Sequence, residues 1–436
     1  MDEGKALRDK IPRSSHAKWF APKDRPDSID LIRNADRGRV AELLPIRYER
    51  MRGSPFAFFR GTAALMASDL SKTPATQIHV QACGDCHLAN FGGFASPERT
   101  LLFDINDFDE TLRAPWEWDL KRLAASLILS GREIGASRSQ CAKAVESAVR
   151  SYRLHMRDYA EMRAIETWYS HVEARVLIED AETPAARKYW KTQEQEAEMR
   201  TQQRVFKKMT TLVNGRRRII DNRPLVFHPS KRAAYIDEVH KLFVRYRETL
   251  PVERRVVLDR YHFADAAIKV VGVGAVGTRC GVVLLMAEKN DPLVLQYKQA
   301  QASALQPYCG PCRYENHAER VVIGQRMLQA ASDVFLGWTR DDRGRDFYFR
   351  QLRDMKMSLE IDTMPVEDWL ELARVCGWTL ARGHARTGDA AMISGYLGKK
   401  EVFDEAIRDF AFDYAEQVDK DFHIFLKRGP KGMAKK

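Results

Sequence analysis

No stretch of this 436-residue chain approaches the roughly 20 consecutive apolar residues that a membrane-spanning helix requires. Met1-Asp2-Glu3-Gly4-Lys5 also lacks the apolar core of a secretory signal. The expectation is a soluble, cytoplasmic protein with no membrane partner. Cysteine is sparse and odd in number: seven thiols in a chain of this length argue against a disulfide framework and for reduced side chains. A concentrated block of one charge is missing too. The net charge of +11 suits an anionic ligand such as a nucleotide, but the basic residues are spread along the chain and no nucleic-acid reader motif accompanies them. Nucleic acid is therefore not the expected partner. What is present is globular composition: 44% apolar and 30% charged residues suffice for two or three packed units.

The chemistry concentrates in two segments. The alternation Ile78-His79-Val80-Gln81 leads into Cys83-Gly84-Asp85-Cys86-His87-Leu88-Ala89-Asn90, and Thr100-Leu101-Leu102-Phe103 leads into Asp104-Ile105-Asn106-Asp107-Phe108-Asp109-Glu110. Each cluster of Asp and Asn sits where a strand gives way to a turn. Carboxylates and amides on neighbouring strand ends suit Mg²⁺ carrying phosphate oxygens, because that ion takes one or two carboxylates plus substrate phosphates rather than a closed protein cage. A remaining Asp would then position a hydroxyl nucleophile. The plainer reading of Asp104, Asp107 and Asp109 is a turn filled with side-chain-to-backbone hydrogen bonds. Two C-x-x-C pairs, Cys83/Cys86 and Cys309/Cys312, raise zinc or redox chemistry. Their wide separation, and the absence of a strand and Trp before Cys309, argue against both.

A third segment, Lys269 to Arg279, contains Gly272-x-Gly274-x-x-Gly277. In a dinucleotide-binding domain that string opens a helix. Here β-branched runs flank it, Val282 to Met286 and Leu293 to Lys298 read as strands, and strand-loop-strand-Lys describes a glycine cover over phosphates with a lysine behind it. The competing reading is a tight hairpin that needs positive φ. Lys298 shares a strand face with Val294 and Gln296, and a helix expected from Asn316 to Leu336 offers Glu315 or Glu319 as its ion-pair partner. Helical spacing is also expected over Thr62 to Leu70, Ser137 to Tyr152, Met156 to Val172, Glu179 to Lys208, Trp369 to Arg386 and Phe403 to Phe425. Over Trp118 to Ile134, Leu120, Leu123, Ala124, Leu127 and Ile128 mark the buried face, with Lys121 and Arg122 off it. His384 reads as a packed or capping residue.

Gly84-Asp85-x-His87-x-x-Asn90 resembles the catalytic loop of the aminoglycoside-phosphotransferase and choline-kinase branch of the protein-kinase-like fold, with Cys83 where that loop has His. Asp104 to Asp109 resembles the branch's metal-binding stretch. Arg50-Met51, Ser54-Pro55-Phe56-Ala57-Phe58-Phe59-Arg60-Gly61 and Trp118-Asp119-Leu120-Lys121-Arg122-Leu123-Ala124 resemble, more closely, the bacterial family called domain of unknown function 2252. The resemblance implies an α+β, two-lobe fold, circularly permuted because the catalytic-loop-like segment precedes the glycine string. The expected division is an extended arm (1–40), a helical lobe (41–215), a smaller sheet-containing lobe (216–360) and C-terminal helices (361–436). It implies an ATP- and Mg²⁺-dependent phosphotransferase for an unidentified hydroxyl acceptor. Asp85 and His87 would be catalytic, Asn90 with Asp104 or Asp107 would hold metal, and Gly272, Gly274, Gly277, Lys298 and Glu319 would serve the nucleotide. A catalytically silent nucleotide-binding protein and a nucleotidyl transferase use the same groups.

Overall fold

The helix Trp116–Glu133 has apolar side chains on every turn, and its neighbours cover it on all sides, so that it is buried from Trp116 through Gly131. It packs with Arg138–Glu161, Val366–Ala385 and Val402–Arg428 into one helical body. Glycine permits the closest approaches: a Cβ at Gly377 would stand 2.0 Å from the Ala148 carbonyl oxygen. Lys121 and Arg122 are not left in solvent as the helical wheel suggests, because the segment before the first strand and the last helix cover that side. The Lys121 ammonium donates to Thr73 at 2.9 Å and lies 4.9 Å from the Phe410 ring centroid. Burial pulls it down to about 8.

This computed structural model describes all residues except 182, 200–201, 289–290, 353–356, 358 and 431–436. Its architecture is mixed α+β. Strands β1 (His79–Ala82) and β4 (Leu112–Pro115) pair antiparallel, as do β2 (Phe91–Ala95) and β3 (Leu101–Ile105). Strands β5 (Thr210–Val213) and β6 (Arg216–Ile219) form a hairpin. A six-stranded antiparallel sheet runs β11-β12-β10-β9-β8-β7, where β7 is Val226–Phe227, β8 His262–Lys269, β9 Cys280–Ala287, β10 Asp291–Ala300, β11 Gly337–Arg340 and β12 Asp346–Gln351. Alternation sorts β10: Leu293, Leu295 and Tyr297 join Leu242, Phe243 and Tyr246 of the helix Arg232–Glu248 in one core, which turns Gln296 and Lys298 to the opposite face.

The first forty residues are not an extended arm. Asp2–Lys10 and Ser28–Ala35 are helices, the second capped by Asp27. Arg25 bridges Asp69 and Asp421 at 2.7 and 2.6 Å, so the charges that suggest solvent find partners far along the chain. The helix expected through Leu336 ends at Leu328, and the one expected from Met156 to Val172 breaks into the end of Arg138–Glu161 and a short Ala164–Tyr169. Among the described residues no helix is long and apolar enough to cross a membrane.

Candidate functional site

Asp119, in the first turn of Trp116–Glu133, accepts the backbone N–H groups of Cys83 at 2.7 Å and Gly84 at 2.9 Å. Gly84 has φ +82°, and a Cβ there would strike the Glu110 carbonyl at 2.3 Å, so only glycine fits this corner. Asp85 follows it into a cavity of about 1070 Å³ between the helical body and the six-stranded sheet. Arg122 Nε donates to Asp85 Oδ1 at 2.6 Å, and Asn90 Nδ2 donates to the Asp85 carbonyl at 2.7 Å. Burial raises the Asp85 carboxyl, with Arg122 and Arg60 opposing. His87 Nε2 lies 3.7 Å from Asp85 Oδ2, and burial with the neighbouring Arg60 and Arg122 holds its imidazole neutral.

The acidic segment leaves β3 and enters the same cavity. Asp107 Oδ1 accepts the Asp109 backbone N–H at 3.2 Å, the turn bond expected of such a residue, while Oδ2 stands 3.9 Å from Lys298 Nζ. Lys298 is in direct contact with the Asp109 carboxylate, which also accepts the Tyr348 hydroxyl at 2.8 Å. Burial raises Asp107, and Asp109 adds to it. Burial would raise Asp109 as well, but Lys298 and Tyr348 outweigh it and leave that carboxyl low. The two carboxylates likewise overcome burial at Lys298 and keep it protonated.

The glycine string forms the turn between β8 and β9, and β10 then carries Lys298. A Cβ at Gly274 would lie 3.8 Å from Asp85 Oδ2, so the turn closes directly over that carboxylate. Asp85, His87, Asn90, Asp107, Lys298, Gly272 and Gly274 thus line one cavity. Gly277, at φ +93°, ends the turn, and its carbonyl accepts the Val40 N–H at 2.6 Å.

Besides Gly277, which does not line the cavity, two expected residues lie elsewhere. Asp104 is 1% exposed, receives Arg382 Nη2 on both oxygens at 2.7 and 2.8 Å and caps Ala330 N at 2.9 Å, so its lone pairs are spent on the core. Glu319 does not pair with Lys298, whose partners are Asp109 and Asp107. The helix His317–Leu328 turns Arg320 inward instead, where it donates to the carbonyls of Thr111, Asp109 and Gln301 at 2.6, 2.8 and 2.8 Å. Asp104→Ala would strip the carboxylate from a fully buried guanidinium, which costs about 3–5 kcal/mol. We expect a lower denaturation midpoint and unchanged affinity for metal, measured by chemical unfolding and by metal titration of the folded fraction.

Arg350, Asn106, Gln296 and Arg60, to which the sequence pattern assigns no role in the site, also line the cavity. Arg350 donates to the Asn106 carbonyl and to Gln296 Oε1, both at 3.2 Å. Its signal lies in the alternation of β12, where Phe347 and Phe349 enter the core and Tyr348 and Arg350 face Lys298 and Gln296 across the ladder. The ligand atoms of Cys83, Cys86 and Asp119 lie within 4.8 Å of one another. Asp119 already serves two backbone N–H groups and His384 Nε2 at 3.2 Å, and burial raises the Cys86 thiol to about 11, so these thiols pack as neutral groups. His384 also meets the Tyr152 hydroxyl at 2.9 Å, a buried packing role.

The fold and cavity define a mixed α+β protein with an acidic and cationic cleft crossed by a glycine turn. The chain belongs to the family described as "Uncharacterized protein conserved in bacteria (DUF2252)", whose model matches residues 39–428. Neither a curated protein nor a solved structure matches it.

Proposed function

We propose that the protein is an ATP- and Mg²⁺-dependent phosphotransferase of protein-kinase-like fold, circularly permuted in chain order, acting on a hydroxyl of a small molecule or protein. The supporting observation is convergence: Asp85, Asn90 and Asp107 meet Lys298 and the Gly272–Gly274 turn in one cavity, from segments far apart in sequence. Asp107 Oδ2 and the amide oxygen of Asn90 are the groups that would hold the ion. The Asn90 nitrogen is engaged by the Asp85 carbonyl, and no donor reaches the Asn90 oxygen among the described residues. This hard oxygen set suits Mg²⁺, which when bound neutralises phosphate charge. Lys298 would leave Asp109 for the phosphates, the turn would cover them, and Asp85 would orient the acceptor hydroxyl and take its proton.

The second reading, a silent nucleotide-binding protein, draws on the same contacts. Asp85 is locked to Arg122 and Lys298 to Asp109, and both pairs must open or shift for transfer. Incubation with Mg²⁺, an acceptor panel and ATP labelled on either the α- or γ-phosphate separates the readings. Transfer of γ-label is expected. Transfer of α-label means nucleotidyl transfer, Mg²⁺-dependent binding without turnover means a silent protein, and absence of ATP binding by the wild type overturns the proposal. Lys298→Ala is expected to weaken ATP binding about tenfold, roughly 1.4 kcal/mol.

A further inference from the structure

The segment Arg50 to Gly61 has no task in the phosphotransferase scheme, yet it walls the cavity beside Asp85. Ser54 caps the short helix Pro55–Phe59 by accepting Ala57 N at 3.0 Å, and Phe56, Phe58 and Phe59 are buried beneath it. The Phe59 carbonyl accepts Arg122 Nη2 at 3.0 Å, the same arginine that holds Asp85. Arg60, the next residue, is therefore fixed relative to Asp85 through one rigid link. A Cβ on Gly274 would meet the Arg60 carbonyl at 3.3 Å as well as Asp85, so turn, arginine and carboxylate come together at one end of the cleft.

Arg60 is anomalous in what it lacks. Its Nε is buried without a hydrogen-bond partner, and its guanidinium enters no ion pair among the described residues. It lies over the Phe56 ring at 5.8 Å, and the carboxylates of Asp362, Asp85 and Glu133 act on its charge without forming an ion pair with it. An orphaned Nε is shared with Arg47, but other cavity-lining arginines spend a terminal nitrogen on an acceptor: Arg47 on the Gly61 carbonyl at 2.7 Å, Arg39 on the Val276 carbonyl at 2.6 Å, Arg350 as above. Arg50 lines the same wall and spends one Nη on the Val271 carbonyl of the glycine turn. His87 Nδ1, beside Asp85, is likewise buried without a partner. Arg60 is half-buried and lines the cleft without an ion-pair partner among the described residues, so its terminal nitrogens are open to a ligand, and a polar atom left buried and unpaired in a native structure asks for something to complete it. The planar fork of arginine matches the two oxygens of a carboxylate or phosphate.

We propose that Arg60, with Arg50 and His87 beside it, forms an oxyanion subsite at the acceptor end of the cleft, so that the acceptor is a hydroxyl compound bearing a phosphate or carboxylate group. The term acceptor rests on the phosphotransferase reading; the anion site itself does not. The rival occupant is the terminal phosphate of the nucleotide.

Inorganic phosphate and acetate are the probes, titrated calorimetrically into the nucleotide-free protein and into protein saturated with Mg²⁺ and a non-hydrolysable ATP analogue. In both states the wild type is expected to bind one of them, and the preferred probe names the group. R60Q is expected to weaken that binding at least about tenfold and to leave affinity for the analogue within about twofold. R60K, which keeps charge but loses the fork, weakens it about threefold and decides the matter if R60Q fails to fold. Anion affinity unchanged in R60Q, or in R60K where R60Q is unfolded, overturns the subsite. So does a wild type that binds neither probe, and so does an R60Q protein that loses the analogue as severely as the anion, since Arg60 then belongs to the nucleotide. If the wild type binds no analogue, the phosphotransferase reading fails alone. Arg60-dependent anion binding by the nucleotide-free protein would still uphold the site.

Discussion

Asp85→Asn should lower turnover by about 10²–10⁴-fold, the range of general-base catalysis, with ATP affinity nearly unchanged. A group that orients and deprotonates the acceptor acts mainly in the transition state, so its loss falls on kcat rather than on ground-state binding. Asn keeps an oxygen that can accept from Arg122 Nε, the bond that measures 2.6 Å in the wild type. It loses the charge that compensates that buried guanidinium, so a lower denaturation midpoint is expected alongside. Turnover must therefore be normalised to folded protein. Steady-state kinetics with calorimetric ATP titration decide the question. If Asp85→Asn weakened ATP binding as much as Lys298→Ala and left turnover intact, Asp85 would be a structural or metal group, and the base would have to be sought at Asp107 or Asp109.

Local pattern told much of this site, and tertiary closure told the rest. The alternation of β10 placed Gln296 and Lys298 on one face, and both line the cavity. The partner of Lys298 was not legible, because Asp109 arrives from a distant part of the chain and the choice between it and Glu319 depends on how His317–Leu328 is rotated. Asp104 misled for a readable reason. On Val366–Ala385 the buried residues Leu372, Val375, Cys376 and Thr379 make a stripe that continues at helical spacing to Arg382, which is fully buried. An arginine on such a stripe demands a carboxylate, and Asp104 supplies it. The extended arm expected over residues 1–40 failed because local sequence has no access to Asp69 and Asp421, the distant carboxylates that hold Arg25. Arg122 lay off the apolar face by periodicity, yet it is 2% exposed, because a helix covered on all sides has no solvent face to offer.

Asp107 and Asp109, two residues apart, are expected to respond oppositely when removed. ATP binding by the wild type should strengthen with Mg²⁺ by about tenfold or more, roughly 1.4 kcal/mol, and Asp107→Ala should abolish that gain, since the ion bridges phosphates that otherwise repel the carboxylates. Equal ATP affinity with and without Mg²⁺ in the wild type would remove the acidic segment from the metal assignment. The stability effects follow from the directions of the two carboxyls. Asp107 is held above its usual range by burial and by Asp109. Its charged form therefore destabilises the fold, a cost that grows as pH rises from the unfolded value of about 3.9 through the folded one and is complete above it. Asp109 is held low, with Lys298 and Tyr348 outweighing burial. Its contribution is fully present above about 3.9 and is lost as pH falls through the folded value. At neutral pH without nucleotide, Asp107→Asn should thus raise the thermal midpoint while Asp109→Asn lowers it. The raised Asp107 also binds its proton at higher pH than an ordinary Asp, so the Mg²⁺-linked gain in the wild type should fade on acidification above the range in which an ordinary Asp titrates. In Asp107→Asn that residue's contribution to the pH dependence disappears. Thermal melts and Mg²⁺ titrations of the two variants across pH test both signs, and a lower melting point for Asp107→Asn at pH 7 would contradict the first.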